Sequence, residues 1–278
     1  MTPTTRPRAR KRFGQHFLEP AWIDKVIRAI DPKPDEAFIE IGPGRGALTF
    51  PLAGHAKAVA AYEIDRDLAP VLQEKAPPNV LVIAADFLSL HLDDLSFEIA
   101  SKVRVVGNLP YNVASPILFK LIDLSAASLP SSPVVDATVM VQREVADRLV
   151  ARPGTREYGV LSVLVGHRSR VDRLLNLPPG AFRPRPKVSS SLLRLGFHAP
   201  DPPVRNPEIF AALVQAVFTR RRKTLANALR AYEQRGEAAE LSSAGVLEQA
   251  GLDGRRRPET LTIGEFGRLA DVYADGAT

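Results

Sequence analysis

Cysteine is absent from all 278 residues, which excludes disulfides, thiolate catalysis and cysteine-ligated zinc. Also lacking is any run of the ~20 apolar residues that a bilayer-spanning helix requires. The five histidines, His16, His55, His91, His167 and His198, are scattered without metal-like pairing, so no metal site is expected. The N-terminal segment has no apolar stretch of the kind that marks a secretory signal. With 45% apolar residues and no membrane span, the chain can bury a sizeable core, as one large domain or a large plus a small one.

What is present in excess is positive charge. Lys and Arg number 37 against 31 Asp and Glu, a net charge of +6. The excess is modest, and its clustering matters more. Arg6, Arg8, Arg10, Lys11 and Arg12 precede Phe13 with no acid among them. Arg183, Arg185 and Lys187 alternate with prolines, Arg220, Arg221, Arg222 and Lys223 are consecutive, and Arg255, Arg256 and Arg257 form a fourth group. One such run is commonly a solvated face, whereas four favour a polyanionic partner.

Short apolar runs alternate with helical patterns over the first two thirds of the chain. Runs at Ala37–Ile41, Ala56–Tyr62, Val80–Ala84, Val103–Val106 and Ala137–Val141 read as strands, and Ser169–Leu177 and Ser189–Phe197 as two more, joined by a Pro-rich loop as a hairpin closing the sheet. Trp22, Ile23, Val26, Ile27 and Ile30 share a helical face behind Pro20, a residue suited to a first helical position. This alternation predicts an α/β fold with a largely parallel sheet, whose ligands sit beyond the carboxyl ends of the strands. Four prolines between Ala199 and Pro207 mark a break, after which Phe210, Leu213, Val214, Val217, Leu225, Ala228 and Leu229 repeat at helical spacing. The expected organisation is a basic, disordered tail over 1–11, a sheet domain over 12–199 and a small helical domain over 200–278.

The strand ends carry the chemistry. Glu40-Ile-Gly-Pro-Gly-Arg-Gly46 joins a strand to a helix, and its glycines allow a sharp turn and close approach of a ligand. Alone it could bind NAD, FAD or a nucleoside, or merely turn. Glu63, 21 positions after Gly42, ends the next strand, where an acid can accept hydrogen bonds from a ribose diol. Asp86 ends the third and could accept from an adenine amino group. The ordered set Gly42, Glu63 and Asp86 points to an adenosine-containing ligand. The G-x-G-x-G spacing, with proline between the first glycines, resembles that of S-adenosylmethionine (SAM) methyltransferases.

The fourth strand ends in Asn108-Leu-Pro-Tyr111. An exocyclic adenine nitrogen shares its lone pair with the ring and is a poor nucleophile. Acceptors aimed at its N–H bonds favour pyramidalisation and direct the lone pair at a methyl group. Asn108 offers a side-chain carbonyl. Leu109, held extended by the following proline, offers a main-chain one. Pro110 brings no competing N–H, and Tyr111 can stack on the base, at ~1–3 kcal/mol. No strong base is required, because the ammonium formed is acidic. Alignment of amine, methyl and sulfur supplies most of the rate.

Asn108–Tyr111 occurs together with Arg12-Phe-Gly-Gln-His-Phe-Leu18, Glu40-Ile-Gly-Pro-Gly44, Phe182-Arg-Pro-Arg-Pro-Lys-Val188 and Phe218-Thr-Arg-Arg-Arg-Lys-Thr224. From about Arg12 onward the chain resembles the small-subunit ribosomal RNA adenine dimethyltransferases, the KsgA/RsmA family. The resemblance implies a Rossmann-like class I SAM-dependent methyltransferase sheet of seven strands with a small C-terminal helical domain. It implies SAM-dependent dimethylation of two adjacent adenosines in a hairpin loop near the 3′ end of small-subunit rRNA. The enzyme would act in the cytoplasm, as a monomer, on the immature 30S subunit, with a role in subunit biogenesis. By position in the matching motifs, SAM contacts fall to His16, Leu18, Gly42, Glu63, Asp86 and Asn108. Asn108 and Leu109 hold the target amine, and Tyr111 and Phe182 flank the base. Arg221, Arg222 and Lys223 match a basic family motif that would face RNA, and by their charge Arg183, Arg185 and Lys187 beside Phe182, and the whole run Arg220 to Lys223, suit contact with RNA phosphates.

His16 stands where the family often has Asn, and Ser189 where Asp is frequent. The other readings are a large-subunit rRNA methyltransferase of the macrolide-resistance type, which shares the cofactor motifs, and a non-enzymatic ribosome-assembly factor on the same fold. The Phe-x-Pro-x-Pro-Lys-Val form and the extended C-terminal domain weigh against the first, and the intact Asn108, Pro110 and Tyr111 against the second.

Overall fold

The structure, a computed structural model, describes residues 16–91, 103–126, 134–234 and 242–276. The basic tail expected over 1–11, and Arg12 with it, lies outside them. By internal contact the chain divides into two compact units, residues 1–146 with 170–197 and residues 147–169 with 198–278.

The first unit opens with β1 (Phe17–Leu18) and α1 (Pro20–Ile30). Then come β2 (Ala37–Ile41), α2 (Thr49–Ala53), β3 (Ala58–Tyr62), α3 (Leu68–Lys75), β4 (Val80–Ile83), β5 (Val103–Asn108), α4 (Ala114–Ala126) and β6 (Val134–Gln142). Helix α5 (Arg143–Leu149) runs across the division between units, and α6 (Val160–Gly166) lies in the second. Strands β7 (Ser169–Leu177), β8 (Phe182–Arg183) and β9 (Ser190–Phe197) return to the first unit. Seven strands form one sheet in the order β4-β3-β2-β5-β6-β9-β7, and β1 pairs with β8 in a separate two-stranded ribbon. Strands β2 to β6 are parallel, and β9 runs antiparallel to β6. The near-continuous burial of β2, β3 and β5 is what parallel strands covered on both faces require.

Register brings the strand ends level. Ile41 pairs with Tyr62 on one side and Gly107 on the other, and Asn108 pairs with Met140. Gly42, Glu63 and Asn108 therefore emerge together. They do so where the strand order reverses, between β2 and β5, the crevice in which open α/β sheets bind ligands. Gly107 lets the strands meet there, since a Cβ on it would stand 2.8 Å from the Ile41 carbonyl oxygen.

Helix α1 leads out of β1 and is fixed at its far end by two arginines. Arg104, buried on β5, donates to the Ile30 carbonyl at 2.8 Å and pairs with Asp136 and Glu36. Arg194 donates to the carbonyls of Ala29 and Ile30 at 2.7 and 3.0 Å. Cations suit the unsatisfied carbonyls of a helix C-terminus, and here they tether the helix that carries β1.

The second unit is helical: α6, then α7 (Pro207–Thr219), α8 (Leu225–Glu233), α9 (Ser243–Ala250) and α10 (Ile263–Asp275). Phe210, Leu213, Val214, Val217, Leu225, Ala228 and Leu229 all lie in its core. Tyr158 and Val163, which precede the proline-rich break and so were expected in the sheet domain, pack into that same core. His167 Nε2 bonds the Pro202 carbonyl at 2.7 Å, sealing the 147–169 segment to the later one. The expected boundary at 199/200 thus misses an insertion that belongs with the helices, because its apolar side chains are buried there. Among the described residues no helix is long and apolar enough to cross a membrane, and no cluster of metal-ligating side chains occurs.

Candidate active site

The glycine turn is held against β3 by its backbone. The Gly42 N–H donates to the Tyr62 carbonyl at 2.9 Å. Gly44 has φ +58°, and a Cβ on it would lie 3.0 Å from the Phe17 ring, so only glycine lets β1 close over the turn. Glu63 is buried at 3% exposure. One carboxylate oxygen accepts from Gly44 N and the other from Asp65 N, both at 2.9 Å. Burial raises its pKa, against the pull of the Asp65, Gly44 and Ile64 amides. Of the roughly four acceptor sites of a carboxylate, one is left that could meet a ribose hydroxyl.

Glu40, at the end of β2, stands out in the sequence only as the first residue of the glycine motif. It is buried at 2% exposure, and its Oε2 has no hydrogen-bond partner. Burial pushes its pKa up to about 7, while the neighbouring Thr49 hydroxyl tempers the rise. Thr49 Oγ1 is itself without a hydrogen-bond partner. An unsatisfied buried carboxylate on a cavity wall calls for a cation or donor from a ligand.

Asn108 and Tyr111 stand across the cavity. Asn108 donates through Nδ2 to the His16 carbonyl at 2.7 Å, leaving Oδ1 as its available acceptor. Leu109 is buried, its N–H committed to the Met140 carbonyl at 3.0 Å. Tyr111 lies against the His16 ring, with centroids 5.3 Å apart and planes at 27°. Its hydroxyl is 3.3 Å from Ser190 Oγ, and burial raises its pKa, keeping it a neutral phenol.

One cavity of about 90 Å³ collects these groups. His16, Leu18, Glu40, Gly42, Glu63, Asn108, Leu109, Pro110 and Tyr111 line it, as do Ile64 and Met140. The enclosed volume is too small for a whole nucleoside, so a ligand would extend over the exposed Gly42 and Ile64. The motifs single out neither Ile64 nor Met140. Ile64 had a usable signal, an apolar residue directly after the strand-ending acid, and it is 49% exposed. Met140 had none, since it reaches the cavity through β5–β6 register.

Two expected residues are not brought to the cavity. Asp86 is exposed, and its Oδ1 accepts from Leu88 N at 3.0 Å as the cap of a short turn. Phe182 requires a correction. It is 1% exposed, pairs with Leu18 across the β1–β8 ribbon and packs in the core with Leu18, Leu177 and Leu192, so it offers no open face to a base. The apolar demand of that core outweighs the cationic flanks that suggested stacking. Arg183, Arg185 and Lys187 beside it are exposed, with Arg183 paired to Glu19 at 2.6 Å.

In the helical unit, Arg220, Arg221, Arg222 and Lys223 form a turn between α7 and α8, lining a hollow of about 550 Å³ with Asn227 and Arg230. Arg220 and Arg221 are partly engaged, by Gln234 at 2.8 Å and the Thr155 carbonyl at 3.0 Å, whereas Arg222 and Lys223 are exposed. The fourth basic group is different. Arg256 is bound to Glu265 and to the Thr260 carbonyl and so serves the local fold, while Arg255 is exposed beside Asp253.

A largely parallel seven-stranded sheet, a glycine turn after β2, a carboxylate ending β3 and Asn-Leu-Pro-Tyr ending β5 define a class I SAM-dependent methyltransferase fold. Solved structures agree. A dimethyladenosine transferase from Plasmodium falciparum is 25% identical with a TM-score of 0.74, covering 91% of this chain and 96% of its own. The 23S rRNA methyltransferase ErmE is 26% identical with a TM-score of 0.62, covering 93% and 99%.

More narrowly, the sequence pattern of the ribosomal RNA adenine dimethylases matches residues 6–268, and the chain belongs to that family. Similar relatives include proteins named ribosomal RNA small subunit methyltransferase A. The one from Pseudomonas fluorescens is 42% identical over 99% of this chain and 97% of its own length, and the one from a Burkholderia species 42% identical over 97% and 94%.

Proposed function

We propose that this protein dimethylates the N6 amines of two adjacent adenosines in the 3′-terminal hairpin loop of small-subunit rRNA, acting in the cytoplasm on the immature subunit. The observation that carries this reading is the convergence of Glu40, Gly42, Glu63, Asn108, Leu109 and Tyr111 on one cavity at level strand ends. The relatives named for the small subunit, at 42% identity, favour it over the large-subunit alternative.

The donor set suits SAM. Glu63 would accept from a ribose hydroxyl, and the exposed side chain of Ile64 would cover the adenine. The unpartnered Oε2 of Glu40 would receive the ammonium of the amino-acid portion, and Leu18 and the Gly42 backbone would close the near wall. When bound, SAM supplies an electrophilic methyl on a sulfonium.

The chain's own contribution is alignment. Asn108 Oδ1 and the Leu109 carbonyl would accept from the target amine and turn its lone pair toward the methyl. Tyr111 would hold the base by stacking, and Pro110 would keep a competing donor out. Arg183, Arg185 and Lys187, and separately Arg220 to Lys223, would bind RNA phosphates. The test is incubation of purified protein and SAM with immature small subunits, followed by mass spectrometry of the rRNA. Two adjacent dimethyladenosines are expected. Folded, SAM-binding protein that leaves that loop unmodified would refute the reading, and modification of large-subunit rRNA alone would replace it.

A further inference from the structure

We infer that His16 is a positioning residue, a clasp that sets the orientation of the Asn108 carboxamide and the Tyr111 ring; the inference rests on the methyl-transfer reading above. Three contacts meet on this one residue. Its main-chain carbonyl takes the Asn108 Nδ2 hydrogen bond at 2.7 Å. Its ring lies along Tyr111. Its Nδ1 is 2.7 Å from the Pro184 carbonyl. A carbonyl can only accept, so Nδ1 carries the proton and donates.

The consequence for Asn108 is specific. A primary amide presents an acceptor on one side and donors on the other. With Nδ2 committed to His16, Oδ1 is the atom offered to the cavity. Rotated the other way, the amide would point N–H groups at the target amine, and donor would face donor. The orientation therefore depends on where the His16 carbonyl lies.

That position is set by the side chain of the same residue. The β1–β8 ribbon ends at Phe17↔Arg183, so His16 is the first residue beyond it. There the Nδ1 bond to Pro184 continues the pairing with a side chain. Tyr111, pinned on one face by the imidazole and at its hydroxyl by Ser190, is oriented by the same anchor. The His16 ring also covers a face of Tyr111 that a base could use, so the base is directed to the opposite face.

This role requires a donor at the ring's place, not proton transfer. Asparagine, with a shorter side chain but a donating amide, fulfils it; alanine does not. At saturating SAM and RNA, the single-turnover rate should fall about tenfold or more in His16→Ala, the scale on which small misplacements act. His16→Asn should recover it to within about threefold, with an unchanged pH profile. His16→Phe preserves the packing on Tyr111 and so guards against a folding failure of the alanine variant. It cannot donate to Pro184 and should be slow as well.

Wild-type speed in either His16→Ala or His16→Phe overturns the clasp. So does a His16→Asn protein as slow as alanine, or one whose pH profile loses a limb, since the imidazole itself would then be the chemical agent. A loss confined to the KM for SAM would make His16 a cofactor contact only and equally overturn it. The wild-type protein in the same assay keeps the two readings apart. If it makes dimethyladenosine and the variants fail the pattern, the clasp alone falls; if it is folded and inert, the function reading falls.

Discussion

The cavity at the ends of β2, β3 and β5 and the basic turn between α7 and α8 are built on opposite principles. In the cavity, polar groups are buried or half-buried and held by partners distant in sequence: Glu63 by Gly44, 19 residues away, and Asn108 by His16, 92 residues away. In the turn, the cations come from one contiguous run, and Arg222 and Lys223 are exposed. A buried group with fixed partners acts through geometry, and its loss leaves the others misplaced or unpaired. An exposed cation facing a polyanion acts through charge, and its neighbours share the work. Single substitutions should therefore have large effects in the cavity and small, salt-dependent ones in the turn.

The sharpest test of that contrast is Asn108→Ala. On the proposed reading, removing the carboxamide deletes the acceptor aimed at the target amine, and methyl transfer should slow by about 10²–10³-fold, as when a preorganised polar contact to a reaction centre is lost. SAM affinity, which the proposed reading assigns mainly to the β2 and β3 ends, should change only a few-fold. Single-turnover kinetics and calorimetry on the same protein separate the two. A rate within tenfold of wild type would mean that alignment by Asn108 is not what limits transfer.

Glu40 offers a test by pH. Its folded-state pKa, about 7, lies above the ordinary 4.5. Between those values the native protein holds a proton that the unfolded chain has released. The associated stability is fully present below about pH 4.5 and is lost as pH rises through 7. With ~1.4 kcal/mol per unit, the ligand-free protein should lose on the order of 3 kcal/mol across that window from this group. Glu40→Gln should remove that part of the slope and be more stable than wild type at pH 8. Urea denaturation of both proteins from pH 4.5 to 8 measures it, and parallel curves would show that the carboxylate is already ionised and satisfied. Because a ligand ammonium requires the ionised carboxylate, SAM binding should strengthen as pH rises from about 5 toward 7, below the range in which an α-ammonium loses its own proton, and it should do so less in the glutamine variant.

Glu63→Ala removes a carboxylate that already accepts two main-chain N–H bonds. Charge-assisted hydrogen bonds contribute ~1.5–3 kcal/mol each, and SAM affinity should fall about a hundredfold. RNA affinity, measured without SAM, should stay as it is. A parallel loss of both would show that the glycine turn collapses without its carboxylate anchor, blurring the line between the two regions.

Much of this arrangement is legible in the sequence because period and punctuation are local. The strands at Ala37–Ile41 and Ser169–Leu177 fall where the apolar runs place them, and α1 begins at Pro20. Gly42, Glu63 and Asn108 can be aligned from the residues alone, because parallel strands place successive strand ends at one edge of the sheet. What is not legible depends on distant pairing. A two-residue strand such as Phe17–Leu18 has no periodicity, and only its partner Phe182–Arg183 defines it. That pairing buries Phe182, so a motif aromatic flanked by cations reads as a stacking surface until its neighbours are known. The 147–169 insertion fails for the same reason, since its apolar residues do not announce which core they join. Charge counting errs too. Arg256 belongs to one of the four basic runs counted toward a polyanionic partner, and in the fold it serves Glu265 and a loop carbonyl.

The smallest effect should come from Arg222→Ala. The side chain is exposed, so removing it costs little stability, and Arg221, Lys223 and Arg230 remain around the hollow. RNA affinity should fall only a few-fold at moderate salt. The diagnostic quantity is the slope of log affinity against log salt, because each phosphate contact releases about one counterion. That slope should become shallower by about one unit, with SAM affinity and the single-turnover rate at saturating RNA unchanged. An unaltered slope would remove Arg222 from the phosphate contacts. A slowed single-turnover rate would be the more informative failure, because it would show that the turn contributes geometry as well as charge.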